Sequence, residues 1–489
     1  MDYQLLLANF TTDRADPAWS RQRLLYECLR AAILSGTLSA GTRLLATRLL
    51  AAELGLARNT VLYAYEQLAT EGFVASDRRG TVVANVRITP AGQVAETVSP
   101  QPTLSRRAQR FTTPLEDGDL QRAFAPGVPA LADFPLLAWR RLMDQAWRGI
   151  GSTKLGYGHA AGEPRLRTAI ADHLRASRGV VCDDAQVIIT DGTQSSLDLC
   201  ARAFADAGDV VWIENPGYGG ALTAFQSAEL HTVGIEVDGE GIAPADWQRR
   251  PPKLIYVTPS HQYPLGSVLS LARRLSLIEQ ANAAGALIIE DDYDSEFRRD
   301  GPPLPAMQGL VPNAPVLYLG TFSKTMFPAL RIGFMVVPAG LVAPLTCMLN
   351  RSASRGRPAE QLALAEFMQS GQFAAHLRRM RRLYAQRRDA MSEALQRHLG
   401  DVASIYGGSS GMHLAIRLGG TFSDVQISQQ ALRQGIVARP LSAYVIPGSE
   451  NTAWNGFILG YAQVPVERMD DMIGAFAGIV RRLEGSGIG

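Results

Sequence analysis

Apolar residues recur at helical spacing near the start of the chain. Leu24, Leu25, Cys28, Leu29, Ala32 and Ile33 fall at i, i+1, i+4, i+5, i+8 and i+9, one face of a helix that Gly36 ends. After a turn through Gly41, Thr47 is placed to cap a short helix to Leu54, and Gly55 permits a sharp turn. Arg58 to Thr70 then forms a third helix with Val61, Tyr65 and Leu68 inward. Helix, glycine-containing turn and helix make a helix-turn-helix. Phe73 to Ala75 and Thr81 to Val83 flank Arg78, Arg79 and Gly80, which predicts a two-stranded wing with a basic tip suited to phosphate or minor-groove contact.

From Phe124 onward, short β-branched runs alternate with longer amphipathic ones. Val187 to Thr190, Val210 to Glu214, Leu254 to Thr258, Ala286 to Glu290, Val316 to Gly320 and Ile332 to Val337 read as strands spaced by helices, which predicts a mainly parallel α/β sheet. After a long basic helix, about Gly371 to His398, the chain carries strand-like Met412 to Arg417, a helix near Val425 to Gln434, strand-like Gly456 to Tyr461 and a final helix from about Val466. These predict a smaller α+β lobe. Thr89 to Glu116, with Pro, Gln and Thr and little hydrophobic periodicity, reads as a linker. The expected division is residues 1–86 for the helix-turn-helix, 87–120 for the linker and 121–489 for the large region, its small lobe spanning about 400–489. No internal repeat is visible.

Composition narrows the class. At roughly 100 to 200 residues per domain, 489 residues require more than one, and 46% hydrophobic with 19% charged residues predicts buried cores, with no case for a disordered, collagen-like or coiled-coil chain. No apolar run approaches the eighteen or so residues of a membrane span, and Met1 to Phe10 lacks a basic leader, so a cytoplasmic location is expected. Cys28, Cys182, Cys200 and Cys347 lie far apart without CxxC spacing and the seven histidines are scattered, so neither a disulfide scaffold nor a metal site is expected. The net charge of +2 says nothing about nucleic acid, but Pro17 to Arg87 holds nine arginines against five acidic residues. Lys154, Lys253 and Lys324 are the only lysines, so any lysine chemistry is easy to locate.

Candidate chemistry gathers at strand ends. The strand Val316 to Gly320 leads into Thr321-Phe322-Ser323-Lys324, with Arg331 downstream, and a lysine at a strand's C-terminal end faces the crevice where α/β proteins bind ligands. The strand Ala286 to Glu290 leads into Asp291-Asp292-Tyr293-Asp294, where a carboxylate can pair with a pyridinium nitrogen. Val187 to Thr190 leads into Asp191-Gly192-Thr193-Gln194 and a helix from Ser195 to Ala207, whose N-terminal amides favour a phosphate. Lysine, acid and phosphate cradle together describe pyridoxal phosphate (PLP). Singly, each has a plainer explanation: a surface lysine, a helix cap, a turn glycine.

"GTLSAGTRLLATRLLAAELGLARNTVLYAYEQLATEGFVASDRRGTVV" resembles the winged helix of GntR-type transcription regulators. "GTFSKTMFPALRIGF", "VTPSHQYPLG", "IEDDYDSEFR" and "ENPGYGGAL" look like the fold-type I aminotransferase domain of the MocR subfamily of GntR regulators, in the right order over nearly the whole chain. The resemblance implies that Thr47, Arg48, Arg58, Asn59, Thr60 and Tyr63 face DNA, with Gly80 in the wing tip beside Arg78 and Arg79. It implies that Lys324 forms the Schiff base with PLP, that Asp291 pairs with the pyridine nitrogen, that Tyr293 hydrogen-bonds the phenolic oxygen and that Tyr218 stacks on the ring. Gly192, Thr193, Gln194, Thr321, Ser323 and Arg331 would hold the phosphate, and His261 and Gln262 would lie over the phenolic side. Three positions depart from the pattern. Leu45-Ala46-Thr47 replaces the usual Pro-Ser-Ser, Gly220 stands where GABA-responsive members place an arginine, and Asn455 stands near the carboxylate-clamping arginine of true aminotransferases. Arg439 could substitute as an effector residue.

The expected function is a PLP-dependent DNA-binding transcription regulator, a homodimer on a double-stranded operator, whose aminotransferase-like domain senses PLP or a small amine or amino-acid effector, with RNA polymerase as a further contact. The alternatives are an active aminotransferase carrying a DNA-binding module, and a dimerising scaffold in which PLP is vestigial.

Overall fold

In the N-terminal unit, Met1–Thr103, the apolar spacing of the sequence becomes four helices and a hairpin: α1 (Tyr3–Arg14), α2 (Arg21–Leu34), α3 (Thr47–Leu54), α4 (Arg58–Thr70), β1 (Val74–Asp77) and β2 (Gly80–Val83). The computed structural model describes residues 1–14, 16–77, 80–85, 103–111, 121–243, 251–299, 301, 304–352, 356–408, 410–419, 423–449 and 454–486. Leu25, Leu29, Leu50, Val61, Leu68, Val74 and Val83 form one core shared by the helices and the wing. Ser20 caps α2 by accepting from the Arg23 amide, and Gly55, at φ 63°, ends α3 in the left-handed conformation that glycine adopts without steric cost. The expected cap at Thr47 is replaced. Ala46 holds the N-cap position without a side-chain bond, and Thr47 is the first helical residue. The Tyr65 hydroxyl donates to the Leu45 carbonyl at 2.8 Å, tying α4 to the segment before α3. Helix α1 precedes the helices that the apolar spacing predicts. It is held by buried Tyr3, whose amide donates to Glu53 at 3.1 Å.

Of the linker, only residues 103–111 are described, and they include the four-residue helix α5 (Arg106–Gln109). The large unit, Leu104–Gly489, continues with α6 (Leu136–Gly149), α7 (Pro164–Arg178), β3 (Val187–Thr190), α8 (Thr193–Phe204), β4 (Val210–Asn215), α9 (Gly219–Ser227), β5 (His231–Asp238), β6 (Gly241–Ile242), β7 (Leu254–Val257), α10 (Leu271–Ala284), β8 (Leu287–Asp292), β9 (Val316–Thr321), β10 (Gly333–Val336), α11 (Ala339–Ser352), α12 (Pro358–Gln369) and α13 (Gln372–Leu399). Its eight strands lie in the order β3-β10-β9-β8-β7-β4-β5-β6. Six run parallel, while β10 is antiparallel to both its neighbours and β6 is antiparallel to β5. Strands β3, β7 and β9 are buried along their whole length, which is why they read as unbroken apolar runs. The chain builds outward from β4 to β5 and then back through β7, β8 and β9, so the order reverses at β4 and β7. A crevice opens at such a reversal beyond the carboxyl ends of the strands.

The small lobe comprises β11 (Ala403–Tyr406), β12 (His413–Leu418), α14 (Asp424–Arg433), β13 (Arg439–Pro440), β14 (Gly456–Gly460) and α15 (Val466–Ser486), its sheet antiparallel in the order β11-β12-β14-β13. Met391, Leu395 and Leu399 of α13 pack with Ile473, Phe476 and Val480 of α15 in a core continuous with the large sheet. No helix among the described residues is long and apolar enough to cross a membrane.

Candidate functional site

Beyond the ends of β3, β4, β7, β8 and β9, side chains converge on a cavity of about 320 Å³, within the range of small-molecule sites. Lys324, three residues past β9, donates from Nζ to the Gly127 carbonyl at 2.7 Å. Gly127 has φ 73°, and a Cβ there would stand 2.8 Å from Nζ, so glycine keeps room for the amine. Burial pushes the Lys324 pKa down, with Asp294 and Asp291 pulling the other way. A depressed amine pKa raises the neutral fraction that can attack a carbonyl.

Asp291, near the end of β8, accepts from the Tyr256 hydroxyl at 2.8 Å through Oδ2, while Oδ1 is buried without a partner. An orphaned carboxylate oxygen in a cavity wall is completed by a donor that enters with a ligand. Burial pushes this carboxyl from 3.8 to about 7, against the Tyr256 hydrogen bond. The stability it contributes is present below the unfolded value of 3.8 and is lost as pH rises through about 7, because over that interval the folded chain keeps a proton that the unfolded chain releases. In Asp291→Asn the denaturation midpoint of cofactor-free protein should therefore fall less than in wild type between about pH 5 and about pH 7.5. Urea melts at the two pH values check it.

At the end of β3 the chain turns through Gly192, φ 98°, the N-cap of α8 with no side-chain capping bond. The first amides of the helix are left for an anion. The Thr193 hydroxyl is buried without a partner, and the Arg331 guanidinium lies 3.6 Å from where a Gly192 Cβ would stand. The Thr321 hydroxyl accepts from the Ser323 amide at 3.2 Å. Gly333 of β10 supports this turn from behind: a Cβ there would come within 2.8 Å of the Gly192 Cα. Gly333→Ala should displace the turn and weaken phosphate-dependent cofactor binding roughly tenfold or more, the worth of one charge-assisted hydrogen bond. Fluorescence titration with PLP measures it.

Thr193, Gln194, Tyr218, Asp291, Tyr293, Thr321, Ser323, Lys324 and Arg331 thus all line one cavity, and Gly192 contributes backbone beside Arg331. The residues fit a phosphorylated pyridine: an anion cradle, an orphaned carboxylate oxygen for a ring N–H and a lysine amine. His261 and Gln262 do not reach the wall. The Gln262 amide donates to the Pro216 carbonyl at 2.9 Å and its oxygen accepts from the Leu265 amide at 3.0 Å, so it serves as a loop brace. His261 Nδ1 lies 3.1 Å from both Asp294 oxygens, and the Tyr293 hydroxyl lies 2.9 Å from the His261 carbonyl. With the ring proton directed to Asp294, the Tyr293 hydroxyl donates to that carbonyl and must rotate to serve a phenolic oxygen. Arg439, in β13, is also off the wall, its charge felt instead by the Tyr263 and Tyr444 hydroxyls.

Several wall residues escaped the sequence. Tyr256 is legible in hindsight, because it lies in the β7 run that leads into the crevice. Tyr263 lies within the quoted stretch VTPSHQYPLG without being singled out there, and Gly127 and His413 carry no local signal. His261, Asp294 and His413 place ligand-type atoms within 4.8 Å of one another, which scattered histidines did not suggest. His261 Nδ1 pairs with Asp294, while its Nε2 is buried without a hydrogen-bond partner.

In the N-terminal unit, Arg48 on α3 and Arg58, Asn59 and Tyr63 on α4 are exposed, Thr47 is half-buried, and Gly80 is exposed at φ 129°. Thr60 corrects the expectation. It is buried on the stripe with Val61, Ala64 and Leu68, because helical spacing turns that position into the core. Arg78 and Arg79 lie outside the described residues.

Residues 127–458 match the family model for aminotransferase class I and II, and residues 22–83 match that for bacterial regulatory proteins of the gntR family. The chain is 41% identical to the probable rhizopine catabolism regulatory protein MocR of Rhizobium meliloti, over 95% of this chain and 94% of that one. It is 33% identical to the HTH-type pyridoxine biosynthesis transcriptional regulator PdxR of Corynebacterium glutamicum, over 76% and 78%. Among solved structures, the multiple substrate aminotransferase of Thermococcus profundus shares the fold at TM-score 0.70 and 24% identity, covering 78% of this chain and 98% of that one. LysN, the α-aminoadipate aminotransferase of Thermus thermophilus, also superimposes at TM-score 0.70, with 25% identity over 78% and 98%. With the GntR helix-turn-helix and the aminotransferase fold in one chain, matched end to end by a relative of the same build, this protein belongs to the MocR-type regulators of the GntR family.

Proposed function

We propose that this chain is a DNA-binding transcription regulator whose aminotransferase-like domain holds PLP and reads a small amine. The observation that carries the cofactor reading is the buried, unpartnered Asp291 Oδ1 in the same cavity as Lys324 and the uncapped N-terminus of α8. When bound, PLP supplies an aldehyde for amine attachment and an electron-withdrawing ring. Arg331, Thr193 and the α8 amides hold the phosphate, Tyr218 covers the ring, Asp291 holds a proton at the ring nitrogen, and Gly127 orients Lys324. Arg48, Arg58, Asn59 and Tyr63 reach a double-stranded operator.

The working form is a homodimer, since two DNA-reading heads require two half-sites at a separation fixed by the protein. Occupation of the amine site changes operator affinity through the small lobe. The coupling is on the order of 5- to 150-fold and reciprocal, so operator DNA should change effector affinity by the same factor. Effector titrations with and without operator test this. Equal affinities in a protein that still regulates would assign the signal to contact with RNA polymerase. An active aminotransferase is the second reading, favoured by the intact set of Lys324, Asp291 and Tyr293 around one cavity, and multiple-turnover assays with amine donors and keto acids separate the two.

A further inference from the structure

Three acids stand within four residues at the end of β8, and they differ in what meets their charge. Asp292 lies off the cavity wall, paired with Arg178 at 2.7 Å and almost wholly buried. Asp291 keeps Oδ1 for a ring N–H. Asp294, two residues past the strand, lines the same cavity as Lys324 and is 1% exposed. Both its carboxylate oxygens turn to one group, His261 Nδ1, at 3.1 Å. Among the described residues no arginine or lysine stands within ion-pair reach of it. Gly411, at φ 82°, leaves room for this pair, since a Cβ there would collide with both His261 and Asp294.

His261 gives Asp294 one proton. Its Nε2 is buried without a partner, so a second ring proton would create an unsatisfied buried donor, and the single proton sits on Nδ1. His413 adds no charge, because burial, then His261, holds its pKa down at about 3. A carboxylate accepts at about four lone-pair positions, so most of the capacity of Asp294 is open to what enters the cavity. The Lys324 amine already responds to it: against the burial that lowers its pKa, Asp294 acts ahead of Asp291. A buried carboxylate held by one hydrogen bond is completed by a cation. A primary amine arrives as one, being an ammonium near neutral pH.

Resting on the cofactor reading above, we propose that Asp294 is the counter-ion of the amine site, receiving the ammonium of an incoming amine and taking the proton that it must lose. The freed lone pair then forms the bond to the carbon that PLP presents. The bond from that carbon to Lys324 breaks as the lysine nitrogen takes the two remaining amine protons, and Asp294 returns its own to give the Lys324 ammonium. In Lys324→Ala the aldehyde oxygen leaves as water with the two protons instead.

That variant provides the test, on full-length protein followed by visible absorbance. Loading of the wild type is checked first by borohydride fixation of PLP to Lys324. Failure there fails the cofactor reading, whereas fixed PLP with an amine response indifferent to Asp294 fails this proposal alone. Methylamine should restore absorbance to PLP-loaded Lys324→Ala, and adding Asp294→Asn should raise the concentration needed by roughly tenfold or more, the worth of a charge-assisted hydrogen bond. The asparagine oxygen can still accept from His261 Nδ1, so the charge goes while the geometry stays. Methoxyamine, close in size but uncharged near neutral pH, should react equally well with and without Asp294→Asn, and Asp294→Glu should recover part of the methylamine response. An unchanged methylamine requirement in Asp294→Asn would overturn the proposal, as would methylamine that fails to react where methoxyamine does. Equal loss of both adducts would overturn it too, making Asp294 a structural support.

Discussion

Lys324→Ala is expected to abolish covalent retention of PLP and the visible absorbance that accompanies it, taking borohydride-fixed label from about one per chain to background. The expectation rests on position. Lys324 is the lysine that faces the cavity, its amine held by Gly127 and its proton affinity lowered by burial. Lys154 is tied to Glu163 in an ion pair at 2.6 Å, and Lys253 is an exposed residue just before β7. Neither has an anion cradle beside it. Reductive trapping followed by peptide mapping checks the result, and label on Lys253 would sink the assignment. Non-covalent PLP should still bind the variant through the α8 amides and Arg331, so fluorescence titration of Lys324→Ala separates loss of attachment from loss of the site.

Arg58→Ala should weaken operator binding by roughly 5- to 150-fold if the guanidinium makes a bidentate base contact. Arg58 opens α4 on its exposed face, with Asn59 beside it and Tyr63 one turn later, while the opposite stripe of the helix is locked in the core. Affinity should fall steeply with salt, and a variant that removes one phosphate contact should lower the salt slope by about one. Arg48→Ala on α3 should behave in this second way. Thr60→Ala, changing a buried side chain, should act on stability more than on DNA. Unchanged operator binding by Arg58→Ala at moderate salt would remove α4 from the recognition role.

How much was legible differs by element. Helix α4 was readable to the residue, because the alternation of Val61, Tyr65 and Leu68 with exposed positions is a local pattern that packing simply completes. Gly192, Asp291 and Lys324 were readable for a related reason. A buried parallel strand shows itself as an apolar run, and the polar residues just after it must emerge at one edge of the sheet. Helix α8 begins two residues before the expected Ser195 because its first turn, Thr193-Gln194, is polar and has the pattern of a loop. Helix α1 leaves no sequence signal because its side chains form no clear stripe, and what fixes it is Tyr3 against Glu53 in α3.

The sequence by itself determined the helix-turn-helix, the buried strands at the centre of the large sheet and the three strand ends that carry the chemistry, since each is written in spacings of a few residues. Tertiary structure decided which groups meet. Gly127 and Lys324 are 197 residues apart in the chain, Tyr256 and Asp291 are 35 apart on neighbouring strands, and Tyr263 meets Tyr444 across 181 residues from the small lobe. It also turned Gln262 and Thr60 inward, where sequence resemblance had pointed them at ligands. The physical reason is that periodicity records which face of an element is buried, while partners across a sheet or between lobes are chosen by strand order and packing, which leave no trace in local spacing.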